Sequence, residues 1–131
     1  MKILDLLTPN RKTGNRGESL AASYLKKHGY RILRRNFVAA GAEIDIVART
    51  ADTLVFVEIK TRTAGKEDPR EPRPASAVTK AKQHKIFAAS KYYPTPRGEI
   101  LRRRFDVMEV LLASDGKQAE SIVHMENAFR L

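Results

Sequence analysis

Two short segments of this chain carry side chains able to do chemistry together. They are Gly41-Ala42-Glu43-Ile44-Asp45-Ile46-Val47-Ala48 and Leu54-Val55-Phe56-Val57-Glu58-Ile59-Lys60. Side chains alternate along a strand, so Glu43 and Asp45 are expected on one face and Ile44 and Ile46 on the other. Glu58 and Lys60 likewise share a face, with Val57 and Ile59 opposite. A two-residue turn at Ala51-Asp52 would set Asp45 directly across from Glu58 and Glu43 across from Lys60. Opposed side chains of this kind have Cβ atoms about 4.5–5.5 Å apart. A slip of one residue would send the acids to opposite faces. Ala-Asp is not the favoured dipeptide for such a turn, so a longer or bulged connection is the alternative.

Carboxylates held side by side repel and raise each other's pKa unless a cation sits between them. A hard divalent ion, Mg²⁺ or Mn²⁺, is satisfied by one or two carboxylates with water completing its shell. Asp45 and Glu58 are the expected ligands, and the backbone carbonyl of Ile59 could be a third. Lys60 would lie beside the attacking water, orienting it and offsetting phosphate charge. Such an ion acidifies water and stabilises charge building on phosphorus, which is the chemistry of phosphodiester hydrolysis. Glu-x-Lys alone on a strand is ordinarily a solvated polar face of little consequence. An acidic pair set among Ile and Val is a different environment. Glu18 precedes Ala21, Ala22 and Leu25 at helical spacing and so falls on an apolar stripe. Two roles stay open for it: support of the site, or the acid of a capping box begun by Asn15.

These side chains need a sheet and helices to place them. Residues 1–13 read as a loose or partly helical arm. A helix capped by Asn15 runs to about His28, with Gly29 as its stop and Lys26 and Lys27 suiting the negative end of its dipole. Tyr30–Val38, Glu43–Arg49 and Thr53–Thr61 read as strands. Residues 62–75, rich in proline and charge, read as a mobile loop. Ser76–Tyr93 reads as a second helix, basic in its first half and apolar in its second. Arg104–Leu112 and Glu120–Met125 read as further strands. The pattern implies one α/β domain over residues 1–131, a mixed sheet of about five strands flanked by two main helices.

Composition narrows the partners. The chain has 131 residues, 42% hydrophobic and 31% charged, with net charge +10. That charge suits a polyanion, nucleic acid above all. Lys80, Lys82 and Lys85 at the start of the second helix, with Gln83, are candidate nucleic-acid contacts. Arg34, Arg35 and Arg62 are further candidates, as is the run Arg102-Arg103-Arg104. Tyr92 and Tyr93 read as core or helix end rather than base-stacking platforms. Asp106, between Phe105 and Val107, reads as structural and paired with an arginine. The absence of cysteine excludes disulfides and thiol-ligated metals. His28, His84 and His124 lack zinc-ligand spacing. No P-loop or acyl-transfer motif is present. No apolar run approaches the ~20 residues that span a bilayer, and the start is a poor signal peptide, so a cytoplasmic protein without membrane attachment is expected.

Several blocks resemble a known family. They are Gly17-Glu18 with Ala21 and Tyr24-Leu25; Gly29-Tyr30-x-Ile32-Leu33-x-Arg35-Asn36; Glu43 to Ala48; Leu54 to Arg62; and Arg104-Phe105-Asp106-Val107. In this order and spacing they resemble the bacterial YraN family, small proteins grouped with the PD-(D/E)XK nucleases. The resemblance implies a restriction-endonuclease-like core, similar to that of archaeal Holliday-junction resolvases. It places the first metal-binding acid on Asp45, the second acid and its lysine on Glu58 and Lys60, and a helix-borne acid on Glu18. The chain departs from the family where Ala42 follows Gly41 in place of a second glycine. It also lacks the usual Phe-Gly-x-Pro element after Arg62.

The expectation is therefore a metal-dependent nuclease acting on DNA, with branched or repair intermediates among its candidate substrates. A non-catalytic nucleic-acid-binding module and an interaction protein are the alternatives. A homodimer would suit two-strand cutting of a symmetric junction.

Overall fold

The computed structural model describes residues 11–66 and 78–130. Its elements run α1 (Arg11–Lys27), β1 (Arg31–Ala39), β2 (Ala42–Thr50), β3 (Thr53–Thr63), α2 (Lys80–Ser90), β4 (Arg102–Leu112) and β5 (Ala119–Phe129). The strands form one sheet in the order β1-β2-β3-β4-β5. β3 and β4 are parallel and the other neighbours antiparallel. The parallel pair needs a crossover, and α2 lies within it. A mixed sheet with one helix on each face is consistent with a restriction-endonuclease-like core.

Both faces of the central strands are covered, which is why β3 reads as an almost unbroken apolar run. On one face Ala21 and Leu25 of α1 pack with Ile46, Ala48, Val55, Val57, Ile59, Met108 and Val110. On the other, Ile86 and Ala89 of α2 pack with Ile44, Val47, Leu54, Phe56, Phe105 and Val107. Phe56 stacks on Phe105, and Phe105 on Phe129. Glu58 is the one charged side chain in the buried stretch of β3.

Helix α1 ends as its sequence implies. Gly29 takes φ +88°, the Tyr30 N–H donates to the Leu25 carbonyl and the Gly29 N–H to that of Lys26. This is a Schellman stop, with Tyr30 and Leu25 joining the same apolar cluster. Its start corrects the sequence reading. The helix begins at Arg11, so Asn15 lies inside it and forms no N-cap, and residues 11–13 of the expected partly helical arm are helical. Residues 1–10 lie outside the described part. Arg62 and Thr63, expected in the loop, extend β3 because the parallel register with β4 continues to Thr63–Leu112. The rest of that loop and the expected start of the second helix at Ser76 fall largely among residues 67–77, outside the described part. Thr79 caps α2 by accepting from the Lys82 N–H at 3.2 Å. The helix stops at Ser90, short of Tyr93. Tyr92 is exposed beyond it, while Tyr93 meets Phe37 and Phe56 edge-on.

Candidate metal centre

The β2–β3 hairpin has the tight register expected. Thr50 pairs with Thr53 across Ala51-Asp52, and pairing continues through Val47–Phe56 to Ile46–Val57. Ala51 accepts φ +50° to make the turn. The next pair would be Asp45–Glu58, and there the ladder ends. Asp45 instead turns its carboxylate onto the sheet: its Oδ2 accepts the Ile59 N–H at 2.7 Å. On the other side β1–β2 pairing includes Arg35–Ile46 and Phe37–Ile44 but no Asn36–Asp45 pair. Asn36 has φ +54°, a left-handed value that Asn tolerates better than most residues.

Alternation therefore breaks at Asp45. Ile44 packs on the α2 side and Ile46 on the α1 side. The expectation that these isoleucines share a face is corrected. The physical cause is the local departure from strand geometry at Asn36 and Asp45, which neither residue type announces.

The break gathers acids from three elements. Carboxylate oxygens of Glu18 from α1 and of Glu43 and Asp45 from β2 lie within 4.8 Å of one another. Glu18 is 7% exposed, so its charge is largely removed from water. Arg35 donates to Glu18 Oε2 at 3.4 Å. With its amide nitrogen turned toward the acids, Asn36 donates to Glu18 Oε1 at 3.1 Å and Glu43 Oε1 at 2.8 Å. Glu58, also 7% exposed, approaches from the α2 side, where Lys82 Nζ donates to its Oε1. Burial, then the charge of Glu58, pushes the Asp45 carboxyl well above its usual pKa. Glu18 adds to the rise, while the Ile59 N–H and Lys82 oppose it.

Glu43, Asp45 and Glu58 line an open cavity of about 530 Å³ with Gly41, Thr79, Lys82 and Lys85. Helix α1 reaches this end of the sheet through Gly17. A Cβ there would stand 1.9 Å from Thr61 Oγ1 and 2.8 Å from Thr61 Cβ. Only glycine permits that approach, and the next residue is Glu18. The donor set, with several carboxylates and few fixed cations, fits a hard divalent ion.

The remaining expected residues divide. Lys60 is two positions beyond Glu58 on β3, half-buried and level with Glu109 of β4. It is not one of the described residues lining the cavity. Lys85 lines the cavity and Lys80 is exposed at the helix start. Gln83 closes the start of α2 by donating to the Val78 carbonyl at 2.9 Å. Arg62 Nε is 3.9 Å from a Glu109 oxygen. Arg34 lies 6.0 Å from the Phe37 ring centre and is exposed. Sequence reasoning missed the parts of Asn36 and Gly17. It also gave Glu43 no ligand role and Lys82 no acidic partner.

On β4, level with Val57 and next to the Glu58 position, Asp106 is fully buried. Arg104 binds it through two nitrogens at 2.9 and 2.8 Å, His124 Nε2 lies 2.7 Å from Oδ2, and the Asn127 N–H donates at 2.8 Å. Burial works against its charge, but the hydrogen bonds of His124, Arg104 and Asn127 outweigh it and hold its pKa below the usual value. Arg103 is likewise structural, donating to the carbonyls of Ser90 and Tyr93. Two of the three arginines in this run thus tie elements together.

Among the described residues no helix is long and apolar enough to cross a membrane. Residues 17–110 match the model of the uncharacterised protein family UPF0102. That span runs from the glycine against Thr61 past the buried Asp106. A UPF0102 protein of Geobacter metallireducens is 44% identical over 123 residues, 93% of this chain and 95% of the relative. One from Geobacter sulfurreducens is 46% identical over 124 residues, 93% of this chain and 91% of the relative. A Clostridium acetobutylicum relative is 39% identical over 123 residues, 93% and 97% of the two chains. The chain belongs to the UPF0102 family, the YraN group that its sequence blocks resemble.

Proposed function

We propose that this protein is a metal-dependent nuclease that hydrolyses phosphodiester bonds in DNA. One observation carries the reading. A basic protein concentrates Glu18, Glu43 and Asp45 within 4.8 Å, beside buried Glu58, and Glu43, Asp45 and Glu58 line an open cavity. Clustered like charge costs stability and is retained where function uses it.

Asp45 and Glu58 would hold Mg²⁺ or Mn²⁺, with the Ile59 carbonyl as a further ligand and Glu18 and Glu43 supporting the site. When bound, the ion supplies acidification of water and stabilisation of charge developing on phosphorus. The chain's own groups do the rest. The Ile59 N–H fixes the Asp45 carboxylate, and Asn36 and Arg35 fix Glu18. Lys60, two positions beyond Glu58 on β3, would orient the nucleophile and offset phosphate charge. Lys82 and Lys85 at the cavity, with Lys80 exposed at the start of α2, offer cations for backbone phosphates, contacts that position a strand without reading sequence.

The test compares cleavage of supercoiled, linear and branched DNA with Mg²⁺ or Mn²⁺ by the wild type, Asp45→Ala and Lys60→Ala. Cleavage by the wild type that both variants lose, with DNA binding retained, is the expected result. DNA binding without cleavage on every substrate would overturn catalysis and leave a binding module.

A further inference from the structure

Phosphate contact alone does not explain the ion pair that Lys82 makes with Glu58. Its ammonium is placed on Glu58 Oε1, and Glu58 is a carboxylate expected to hold the ion. The pair is asymmetric: the Glu58 side chain is 8% exposed and that of Lys82 is 41% exposed. Glu58 is therefore committed to its place and needs a countercharge. Lys82 reaches in from water on a flexible stem and can turn elsewhere. Its backbone is fixed: its N–H is held by Thr79 in the first turn of α2, so the side chain pivots at the cavity rim. Lys85 lines the same rim one helical turn on.

We infer that Lys82 and the divalent cation compete for Glu58, and that a backbone phosphate takes Lys82 in exchange, so that metal and nucleic acid bind cooperatively. This rests on the nuclease reading above. The exchange leaves every charged group with a partner. Glu58 trades one cation for another, and Lys82 trades a carboxylate for a phosphate. Without nucleic acid, an incoming ion must displace Lys82 into water. With a phosphate at the rim, the displaced ammonium gains a partner at once. Coupling of this kind is reciprocal: the factor by which DNA raises metal affinity equals the factor by which metal raises DNA affinity. Lys82 is here a positioning residue, acting through Glu58.

The experiment is a calorimetric titration of the full chain with Mn²⁺, alone and with a non-hydrolysable DNA duplex. In the wild type the duplex should raise Mn²⁺ affinity by roughly 5–150-fold, the usual span of such coupling. Lys82→Met should bind Mn²⁺ more tightly than wild type without DNA, and the duplex should then add less than about twofold, the coupling having been removed. Lys82→Arg, which keeps a cation in reach of Glu58, should retain the coupling. Unchanged or weaker Mn²⁺ binding by Lys82→Met alone, with coupling intact, would overturn the inference while leaving the nuclease reading standing. Loss of coupling in Lys82→Arg as well would assign the effect to packing at the start of α2 and also overturn it. Absence of Mn²⁺ binding in every protein, with and without DNA, would defeat the nuclease reading and the inference together.

Discussion

Replacing Asp45 by asparagine should make the protein more stable at neutral pH. The substitution removes one charge from a cluster whose oxygens lie within 4.8 Å. Two unit charges at that distance repel by about 3.5 kcal/mol at an effective dielectric near 20. Arg35, Asn36 and Lys82 compensate part of this, and the half-buried site is screened by water. Roughly 1–2 kcal/mol should remain, a rise in melting temperature of about 4–8 °C for a chain of this size. The hydrogen bond from Ile59 survives in weaker form, because an amide oxygen accepts it without the charge assistance of a carboxylate.

The pH dependence follows from the raised Asp45 pKa. The folded state holds the Asp45 proton more tightly than the unfolded chain, whose pKa is about 3.9. The stability associated with that proton is fully present below the unfolded pKa and is lost as pH rises through the folded one. Asp45→Asn escapes the loss. Its advantage should be absent below about pH 3.9 and grow toward pH 8. Urea unfolding of both proteins at pH 3.5 and 8, in chelator and then in saturating Mn²⁺, measures it. Mn²⁺ should stabilise the wild type and leave Asp45→Asn nearly unmoved. A variant less stable at pH 8, or equally favoured at both pH values, would refute the electrostatic reasoning.

Three other perturbations test the frame around the site. Gly17→Ala should destabilise by about 1–3 kcal/mol, since overpacking against Thr61 outweighs the ~1 kcal/mol of helix propensity gained. Thr61→Ala in the same chain should restore part of the loss on urea unfolding. Asp106→Ala should cost about 3–5 kcal/mol, because it takes from half-buried Arg104 and from the His124 side chain the carboxylate they share. The lowered Asp106 pKa gives wild type a contribution that is present above about pH 4 and lost on acidification, and an acid-unfolding curve should lose that component in the variant. Asn36→Ala should loosen Glu18 and Glu43 and weaken Mn²⁺ binding about tenfold, the usual order for a group that orients ligands, as read by calorimetry.

The hairpin register was readable because it depends on local patterning. Apolar runs on both sides of Ala51-Asp52 pair well in only one alignment, and a two-residue turn satisfies it even with Ala in a left-handed conformation. The stop at Gly29 was readable for the same reason. Where the reading failed, the cause was non-local. Asn15 belongs to a type that caps helices, but whether it does depends on how far the helix extends before it. Asn36 looks like any polar strand residue. Its left-handed backbone and its amide between two glutamates arise only when α1 crosses β1 and β2. The closeness of Gly17 to Thr61 depends on the packing angle of a helix, which hydrophobic periodicity leaves open. Lys82 was visible as a cation near the site, but its partner is set by where α2 begins.

Among the described residues, two aspartates withdrawn from water are treated oppositely, Asp106 fully buried and Asp45 half-buried. Asp106 receives two arginine nitrogens, a histidine and a backbone N–H, and its pKa falls. Asp45 receives one backbone N–H and two acidic neighbours within 4.8 Å, and its pKa rises. Burial acts the same way on both, so the difference lies in what the fold supplies to each. At Asp106 the sheet supplies enough donors to make the charge a structural joint between β4 and β5. At Asp45 the ladder stops one pair early and the vacated positions deliver further carboxylates. A fold selected only for stability would continue that ladder and pair Asp45 with a cation, as it does for Asp106. Stability is therefore supplied by the donor-rich joint at Asp106, while Asp45, two strands away, keeps a charge that Arg35, Asn36 and Lys82 offset only in part.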